Sequence, residues 1–307
     1  MPFDGVVTKC IVAELKETIL DSRIEKIFQP ENDEIVLNIR AKGQNLKLVL
    51  SANSSYPRIH FTEVVKENPA VPPVFCMLLR KHLSGAKITG VEFSDYERIV
   101  TLLVESINEL GDISIKKLII EIMGRHSNII LVNSDNKIID SIKHVDSETS
   151  SVREVMPARP YILPPSQDKT SPEALDVDIL FNITEEYSNI SVEKYLLNKV
   201  KGFSPLLCRE ICYRAGIAER TPMSALSIHD CERLKNAMRE LISKITCNNF
   251  SPCLIFEDSS FEKPIDFHCI EITQYKNIKY ESSVSRVLDI FYSKKDLSER
   301  VRQKKSN

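Results

Sequence analysis

Residues 123–128, with the sequence MGRHSN, form a polar cluster between two aliphatic runs whose composition is typical of buried strands. Arg125 carries several donors in a planar fork, and the ring of His126 can change charge near neutral pH. Gly124 permits a tight turn or a close backbone approach that a Cβ atom would block. The residue types leave two interpretations open, a structural turn that bonds to its own backbone or a binding loop.

Two further groups of charged residues could also bind a ligand. Asp4 stands directly before a predicted helix, where it could cap the N-terminus or face a ligand with its carboxylate. Asp95, Glu97 and Arg98 lie between two predicted strands. They could form a surface ion pair, which contributes about 0–1 kcal/mol, or they could hold a ligand together.

The segment KGFSP at residues 201–205 joins two short predicted helices. Such a connection is typical of the helix-hairpin-helix motif, in which backbone N–H groups at a helix N-terminus bind a phosphate. Residues 193–220 include six Lys or Arg and three Glu, a local surplus of positive charge. The alternative is an ordinary helical hairpin with a solvated face, and the second glycine that would strengthen the motif is missing from the hairpin.

The composition limits the classes of protein to which the chain can belong. With 307 residues, 42% of them hydrophobic, the chain can form two domains with a substantial core. The net charge of -2 means that contact with nucleic acid must come from local basic patches. The eight cysteines lack the spacing of a zinc site, so no metal or cofactor is predicted. Without a signal peptide or an apolar run of about 18 residues, we expect a cytoplasmic protein with no membrane partner.

Hydrophobic periodicity predicts an α+β fold whose N-terminal domain, residues 1–172, is mostly antiparallel β. A helical stripe at residues 6–20 precedes two alternating runs within residues 34–50, which are typical of a β-hairpin. A helix is predicted over residues 74–83, after two prolines and before a glycine. Four prolines within residues 156–165 predict an extended strap at the end of this domain.

The period of the pattern becomes helical over residues 173–246, which we predict to be an all-helical helix-hairpin-helix domain. Ser191 and Ser204 are the predicted N-caps of its two hairpin helices. Strand-like runs over residues 247–282 are expected to return to the first domain. Residues 283–307 predict a helix with a basic end, and we expect a coiled coil to begin there.

Four long motifs, taken together, resemble the NFACT family over essentially the whole chain. They are FDG at residues 3–5, FCMLLRKH at 75–82, EIMGRHSNIIL at 121–131 and PYILPP at 160–165. The resemblance implies an NFACT-N domain with a fold like that of formamidopyrimidine glycosylases, a helix-hairpin-helix domain and the first turns of a coiled coil. It further implies binding to the large ribosomal subunit with a stalled, tRNA-linked nascent chain, and recruitment of alanyl-tRNA for alanine tailing. Because the ribosome forms the peptide bonds, no catalytic residues are expected.

The resemblance also assigns roles to residues. The family's functional Asp-Arg pair falls on Glu97 and Arg98, where the glutamate keeps the charge but moves it by one methylene, and a further acidic residue of the family falls on Asp4. Together with the residues chosen for their chemistry, the predicted tRNA-binding set is Asp4, Glu97, Arg98, Arg125 and His126. The predicted phosphate-binding set is Lys201, Gly202 and Ser204.

Two other functions compete with this hypothesis. The first is an adhesin that binds fibronectin, after an older name for members of the family; the missing export signal and the many cysteines argue against it. The second is a DNA glycosylase or lyase that uses the amine of Pro2 as its nucleophile. The glutamate that should follow this proline is replaced by Phe3, and the spacing of a zinc finger is absent.

Overall fold

The computed structural model describes residues 2–306, which form two compact units. Unit 1 contains the chain up to Cys10, Asp95–Glu97 and Ser166–Val287. Unit 2 contains Ile11–Ser94, Arg98–Pro165 and the chain from Leu288 onward. No helix within residues 2–306 has both the length and the apolar character that crossing a bilayer requires.

The described residues form seven α-helices and twelve β-strands. The helices are α1 (Gly5–Ile19), α2 (Val74–Leu83), α3 (Val177–Leu180), α4 (Val192–Lys199), α5 (Pro205–Arg214), α6 (Ile228–Thr246) and α7 (Val284–Ser306). The first strands are β1 (Arg23–Glu31), β2 (Glu34–Ala41), β3 (Gln44–Ser51), β4 (Arg58–Phe61), β5 (Lys87–Phe93) and β6 (Ile99–Ile107). The others are β7 (Ile113–Glu121), β8 (Asn128–Val132), β9 (Ile138–Ser141), β10 (Cys253–Phe256), β11 (Pro264–His268) and β12 (Ile278–Tyr280).

Unit 2 is built around a nine-stranded sheet in the order β4-β3-β2-β1-β5-β6-β7-β8-β9, in which neighbouring strands are antiparallel. The predicted hairpin is its β2–β3 pair, where Ile35 lies opposite Leu50 and Leu37 opposite Leu48. All four side chains are fully buried, because alternate residues of a strand point to the same face. The predicted α+β class with a large antiparallel sheet is confirmed.

Helix α2 begins and ends at the predicted residues. Pro73 occupies its N-cap position, and the basic residues of its last turn lie near the negative end of the helix dipole. Its buried side chains, Phe75, Cys76, Leu79 and Leu83, follow the helical period and form one apolar face. This face packs against β1 of the sheet, and burial of these four side chains holds the helix there.

Unit 1 contains the helices predicted after residue 173. Ser191 caps α4 by accepting a hydrogen bond from the N–H of Lys194 at 3.3 Å, as predicted. Ser227 and Asp230 form a reciprocal capping box at the start of α6. The assignment of these helices to a separate helix-hairpin-helix domain stays a prediction, because they share unit 1 with the strands that follow them.

Within the described residues, the strands that follow the helices do not pair with the large sheet, and the expected return of residues 247–282 to the first domain stays a prediction. They form a separate three-stranded sheet in the order β11-β10-β12. All four residues of the central strand β10 are buried, and antiparallel partners on both sides satisfy its backbone groups. The strand therefore needs no pairing with the nine-stranded sheet.

Arg153 and Tyr161, which follow β9 in the chain, contact a buried carboxylate at the end of β7. Glu121, whose side chain is 1% exposed, accepts hydrogen bonds from Arg153 at 2.7 Å and from the hydroxyl of Tyr161 at 2.7 Å. Burial raises the pKa of the Glu121 carboxyl by more than the contacts with Arg153 and Tyr161 lower it. The strap is thus joined to the end of β7 by a carboxylate that depends on its partners.

Replacement of Arg153 by Met should destabilise the chain by about 3–5 kcal/mol at neutral pH, because it leaves the buried Glu121 charge without a counter-charge. A group whose pKa is raised by folding loses its stabilising effect as pH rises. The stability that the variant loses relative to wild type should therefore become smaller as pH falls towards 4.5, the ordinary pKa of a glutamate side chain. At that pH the buried carboxyl of Glu121 can bind a proton. Urea unfolding at several pH values measures this.

The double variant Glu121→Gln with Arg153→Met is the control for this prediction. It removes both charges and should be clearly more stable at neutral pH than Arg153→Met alone. An Arg153→Met deficit that does not change with pH would show that lost packing, rather than the unpaired carboxylate, causes the effect.

Candidate nucleic-acid interface

Asp4, a predicted tRNA-binding residue, is buried in unit 1 with 5% of its surface exposed. Its Oδ1 accepts a hydrogen bond from the N–H of Val7 at 2.8 Å, so the predicted capping of α1 is confirmed. Its Oδ2 accepts from the hydroxyl of Ser204 at 2.7 Å and lies 2.7 Å from Nε2 of His268. The carboxylate of Asp4 is therefore buried and hydrogen-bonded within unit 1, and it is not exposed at the surface.

The hydrogen bonds of His268 indicate which of its ring nitrogens faces Asp4 as a donor. Its Nδ1 accepts the N–H of Ile270 at 3.1 Å, so the ring proton is on Nε2 and is donated to Asp4. Burial raises the pKa of the Asp4 carboxyl, but the attraction of His268 and the hydrogen bonds from His268, Val7 and Ser204 lower it by more. The net pKa of Asp4 lies below its ordinary value of 3.8, and the carboxylate stays ionised.

Two glycines bring the start of α1 against the hairpin between α4 and α5. The N–H of Gly5 donates to the carbonyl of Gly202 at 3.0 Å. A Cβ atom on Gly5 would lie 2.3 Å from the carbonyl oxygen of Tyr96 and 2.6 Å from the Cα atom of Gly202. Gly202 has a φ of +84°, which favours glycine at this position. The hairpin therefore packs against a second glycine, which comes from the start of α1 and not from the hairpin itself.

The predicted phosphate-binding Lys201 is held by carboxylates. Its Nζ lies 3.2 Å from Asp95 and 3.4 Å from Glu97, and Glu97 also accepts a hydrogen bond from Ser166 at 3.1 Å. Burial lowers the pKa of Lys201, but Asp95 and Glu97 raise it by more, so its ammonium group stays charged. Only 13% of the Lys201 side chain is exposed, compared with 34% of Glu97. A phosphate at Lys201 would have to compete with these two carboxylates.

Ser204 occupies the N-cap position of α5 and Pro205 its first position, as predicted, but the capping hydrogen bond is absent among the described residues. The hydroxyl of Ser204 donates to Asp4 instead. This choice is favourable because an ionised acceptor forms a stronger hydrogen bond than a neutral one. The hydroxyl of Ser204 therefore accepts no hydrogen bond from the first turn of α5.

Tyr96 is a residue of the site that the sequence did not single out. Its φ of +57° is unusual for a non-glycine residue, and its ring is 2% exposed. Its hydroxyl donates to Glu173, which also pairs with Lys9 at 3.0 Å. Burial and the contact with Glu173 raise the pKa of the Tyr96 hydroxyl, so that it stays protonated and remains a donor. Tyr96 thereby fixes the loop that carries Asp95 and Glu97.

The remaining predicted residues lie at one end of the sheet in unit 2. Arg98 directly precedes β6, is half-buried, and accepts with its carbonyl the N–H of Ile122 at 2.8 Å. The polar hexapeptide begins one residue later and forms a short 3-10 turn at Gly124–His126. Arg125 and His126 are exposed there, with Arg125 Nε donating to His126 Nε2 at 3.1 Å. This end of the sheet therefore presents basic side chains to solvent.

The other polar side chains of the hexapeptide are buried and structural. The hydroxyl of Ser127 accepts the N–H of Met123 at 2.9 Å and closes the turn. The amide of Asn128 donates to the carbonyl of Lys143 at 2.9 Å and accepts its N–H at 3.1 Å. Ser127 and Asn128 thus shape the turn, and this leaves Arg125 and His126 on its outside.

The structure divides the predicted residues into two groups. Unit 1 holds Asp4, Glu97, Lys201, Gly202 and Ser204 in one connected set of contacts, and unit 2 holds Arg98, Arg125 and His126. Within the ranges that the structure describes, no three His, Cys, Asp or Glu side chains are arranged to hold a metal ion.

Replacement of Gly5 by Ala should strongly destabilise unit 1, because the new methyl group would meet backbone atoms that cannot rotate away. We expect a loss of several kcal/mol in urea unfolding, at the upper end of what single substitutions cause. Gly90→Ala is the matched control, since its Cβ would meet only the movable Leu103 side chain, at 2.9 Å. Equal effects of the two substitutions would contradict the close approach of α1 and the hairpin.

Replacement of Asp4 by Asn should lower stability at neutral pH by about 1.5–3 kcal/mol, the range for hydrogen bonds to a charged group. Because folding lowers the pKa of Asp4, its contribution is complete above 3.8 and is lost as pH falls through the folded pKa. The stability difference between wild type and variant should therefore narrow in acid. Urea unfolding across this pH range measures it, and a constant or widening difference would contradict the assigned hydrogen bonds.

Comparisons with known proteins support one family assignment. The chain is 39% identical over 306 residues to the Rqc2 homolog RqcH of Bacillus subtilis, covering 99% of this chain and 51% of the relative. It is 31% identical over 294 residues to the archaeal Rqc2 homolog aRqcH of Methanocaldococcus jannaschii, covering 93% of this chain and 41% of the relative. The chain therefore spans about half the length of the relatives it matches.

Solved structures agree with this assignment. The fibrinogen binding protein of Staphylococcus aureus superimposes with a TM-score of 0.79 at 31% identity, over 95% of this chain and 99% of that one. The N-terminal part of the fibronectin/fibrinogen-binding protein of Streptococcus suis gives a TM-score of 0.76 at 33% identity, with the same coverage. Residues 4–307 match the family described as NFACT N-terminal and middle domains. The chain belongs to the NFACT family.

Proposed function

We propose that this chain is the recognition part of a ribosome-associated quality-control factor. In this proposal the factor binds tRNA and the large ribosomal subunit that carries a stalled nascent chain, and it recruits alanyl-tRNA for C-terminal alanine tailing. The observation that carries the proposal is the similarity to relatives named as Rqc2 homologs along 99% of this chain. Because the chain spans about half of these relatives, the activity of the whole factor is part of the proposal.

The basic side chains at the end of the large sheet are the proposed contacts to tRNA in unit 2. Arg125 and His126 are exposed and Arg98 is half-buried. An arginine fork can contact a phosphate with two hydrogen bonds or stack on an unpaired base. Because the chain has a net charge of -2, a few such side chains have to supply most of the favourable electrostatic energy. Binding should accordingly weaken as salt increases.

The hairpin between α4 and α5 is the proposed phosphate-binding element of unit 1. Ser204 gives its hydroxyl to Asp4, so a phosphate would contact the backbone at Gly202 and the first turn of α5 rather than this hydroxyl. Lys201 would contribute its charge while Glu97 keeps it in place. Asp4 acts in this proposal as a positioning residue, since its buried carboxylate holds the hairpin and contacts no RNA.

The proposal requires no chemistry from the chain itself. Peptide bonds of the alanine tail would be formed by the ribosome, and the role of the chain would be to hold tRNA in the correct place. We therefore propose no catalytic residue and no cofactor, and we propose that the chain acts in the cytoplasm, where ribosomes are found.

A second candidate is an adhesin. The structures from Staphylococcus aureus and Streptococcus suis are described as fibrinogen- or fibronectin-binding proteins, and they align with 95% of this chain. Binding of purified chain to immobilised fibronectin and fibrinogen, compared with its sedimentation with large ribosomal subunits, distinguishes the two candidates. Saturable capture by fibronectin without any association with ribosomal subunits would favour the adhesin.

Replacement of Arg98 by Ala should weaken binding of tRNA by about 1–3 kcal/mol, the range for losing one good arginine contact to nucleic acid. Arg125→Ala should weaken binding less and should also reduce its dependence on salt, as expected for a single phosphate contact. Filter binding or fluorescence anisotropy with purified tRNA at two salt concentrations measures both effects.

The matched control is Arg40→Ala, which removes an exposed arginine from β2 of the same sheet. This substitution should leave tRNA affinity unchanged. The assignment of Arg98 would be wrong if its variant bound tRNA as tightly as wild type, or if Arg40→Ala weakened binding to the same extent.

A further inference from the structure

The hairpin that β6 and β7 form extends past both neighbouring strands of the nine-stranded sheet. On one side the pairing with β5 ends at Lys87 and Glu105, and on the other side the pairing with β8 ends at Lys117 and Val132. Residues 106–116, here called the hairpin tip, therefore pair only with each other. None of the residues predicted to bind tRNA or phosphate belongs to this segment. Its role must be derived from its own side chains.

Four aliphatic side chains of the hairpin tip are exposed to solvent. Ile107 and Ile113 lie opposite each other and are 72% and 65% exposed. Ile115 is on the same face as Ile113 and is 44% exposed, and Leu110 in the connecting turn is 87% exposed. Single aliphatic side chains are common on protein surfaces, but a group of them is typical of an interface. The hairpin tip therefore has the apolar centre of an interaction surface.

The same face of the sheet is covered closer to the centre of unit 2. Ile99 of β6 lies on the same face as Ile107, because alternate residues of a strand point the same way. Ile99 is buried in a cluster with Ile119 and Val155, against which the ring of Tyr161 packs. Ile107 has no such cover within the described residues. The hairpin tip thus presents to solvent a face that is buried elsewhere in the sheet.

Hydrogen bonds within the hairpin tip stabilise its turn and its strands. The Oδ1 atom of Asn108 accepts the N–H of Leu110 at 3.0 Å and the N–H of Asp112 at 2.8 Å. The N–H of Asn108 donates to the carbonyl of Asp112 at 2.9 Å. On the face opposite the isoleucines, Nζ of Lys116 donates to the hydroxyl of Ser106 at 2.8 Å. A surface that is ordered before binding loses less conformational entropy on association.

The charged residues beside these aliphatic side chains are acidic. Glu105 is on the isoleucine face, and Glu109 and Asp112 are in the turn. None of these three carboxylates forms an ion pair with a cation within residues 2–306. The nearest lysines in the sequence are Lys116, which is on the opposite face, and Lys117, which lies at the base of the tip. The apolar centre of the tip is therefore bordered by uncompensated negative charge.

We infer that the hairpin tip docks on a protein of the large ribosomal subunit, at an apolar pocket bordered by Lys or Arg side chains. This inference rests on the proposed function, which supplies the ribosomal subunit as the partner. Proteins that bind rRNA carry Lys and Arg to neutralise phosphates, and such residues complement Glu105, Glu109 and Asp112. The rRNA itself fits the tip poorly, because its phosphates repel carboxylates and its bases need aromatic side chains on which to stack.

Sedimentation of the purified chain with purified large ribosomal subunits that carry peptidyl-tRNA tests the inference. The double variant Leu110→Ser with Ile113→Ser should bind the subunits about tenfold more weakly, because the centre of the interface is lost. Its affinity for free tRNA should stay unchanged, and circular dichroism verifies that it is folded. Val71→Ser is the matched control, because Val71 is an exposed aliphatic residue of unit 2 outside the tip. It should change neither affinity.

Reversal of one charge distinguishes a basic protein from RNA as the partner. Glu109→Lys should weaken binding to the subunits by about threefold at low salt, as expected for the loss of one exposed charge pair. Contact of the tip with RNA predicts the opposite result, since the new lysine would attract phosphates. Glu92→Lys, on the neighbouring strand β5, replaces an exposed glutamate outside the tip and should leave binding unchanged.

A photoreactive benzoylphenylalanine in place of Leu110 identifies what the tip touches. We expect its crosslinks on the subunits to form with a ribosomal protein. Crosslinks mainly to rRNA or to a second copy of this chain would overturn the inference, as would tighter binding by Glu109→Lys. If the wild type sediments with subunits and the double serine variant binds equally well, the inference fails and the proposed function stands. If the wild type itself does not sediment with subunits, the proposed function fails and the inference fails with it.

Discussion

The ionised carboxylate of Asp4 is the interaction on which the organisation of unit 1 depends. Burial of such a charge is costly unless hydrogen bonds replace the lost water. Three segments far apart in the chain supply them: the first turn of α1, Ser204 before α5, and His268 at the end of β11. One group therefore connects the N-terminus, the helical hairpin and the three-stranded sheet. The close contact between Gly5 and Gly202 joins the same two elements, the start of α1 and the hairpin. This contact requires two residues without side chains.

The polar residues of the hexapeptide at positions 123–128 serve two purposes in the structure. Within the hexapeptide, Ser127 and Asn128 are buried and bond to the backbone, whereas Arg125 and His126 are exposed. The interpretation as a structural turn thus holds for Ser127 and Asn128, whereas binding by Arg125 and His126 stays a prediction. A similar division applies to unit 1, where Asp4 is internal and Glu97 remains one-third exposed while it holds Lys201. In the hexapeptide and in unit 1 alike, the buried polar groups fix the local backbone. The exposed polar groups remain accessible to solvent.

Local sequence patterns were sufficient to predict the elements that are defined by residues close together in the chain. The period and flanking residues predicted α2 at both ends, and the alternation predicted the β2–β3 hairpin. Contacts between residues that are distant in the chain could not be predicted from local patterns in the sequence. His268 lies 264 residues from Asp4, and nothing near it in the sequence indicates its partner. The predicted cap of Ser204 failed for the same reason, since a distant carboxylate competes for its hydroxyl. Short runs such as β10 predict a strand but not the sheet to which it belongs.

We propose that the buried carboxylate of Asp4 holds the hairpin between α4 and α5 in the form that would bind tRNA. It is tested most directly by sequencing the RNA that co-purifies with wild-type chain and with the Asp4→Asn variant from the same cells, with circular dichroism to verify that both are folded. The account predicts that tRNA is enriched with the wild type and largely lost from the folded variant. Equal tRNA recovery with both chains, or no enrichment of tRNA with the wild type, would contradict it.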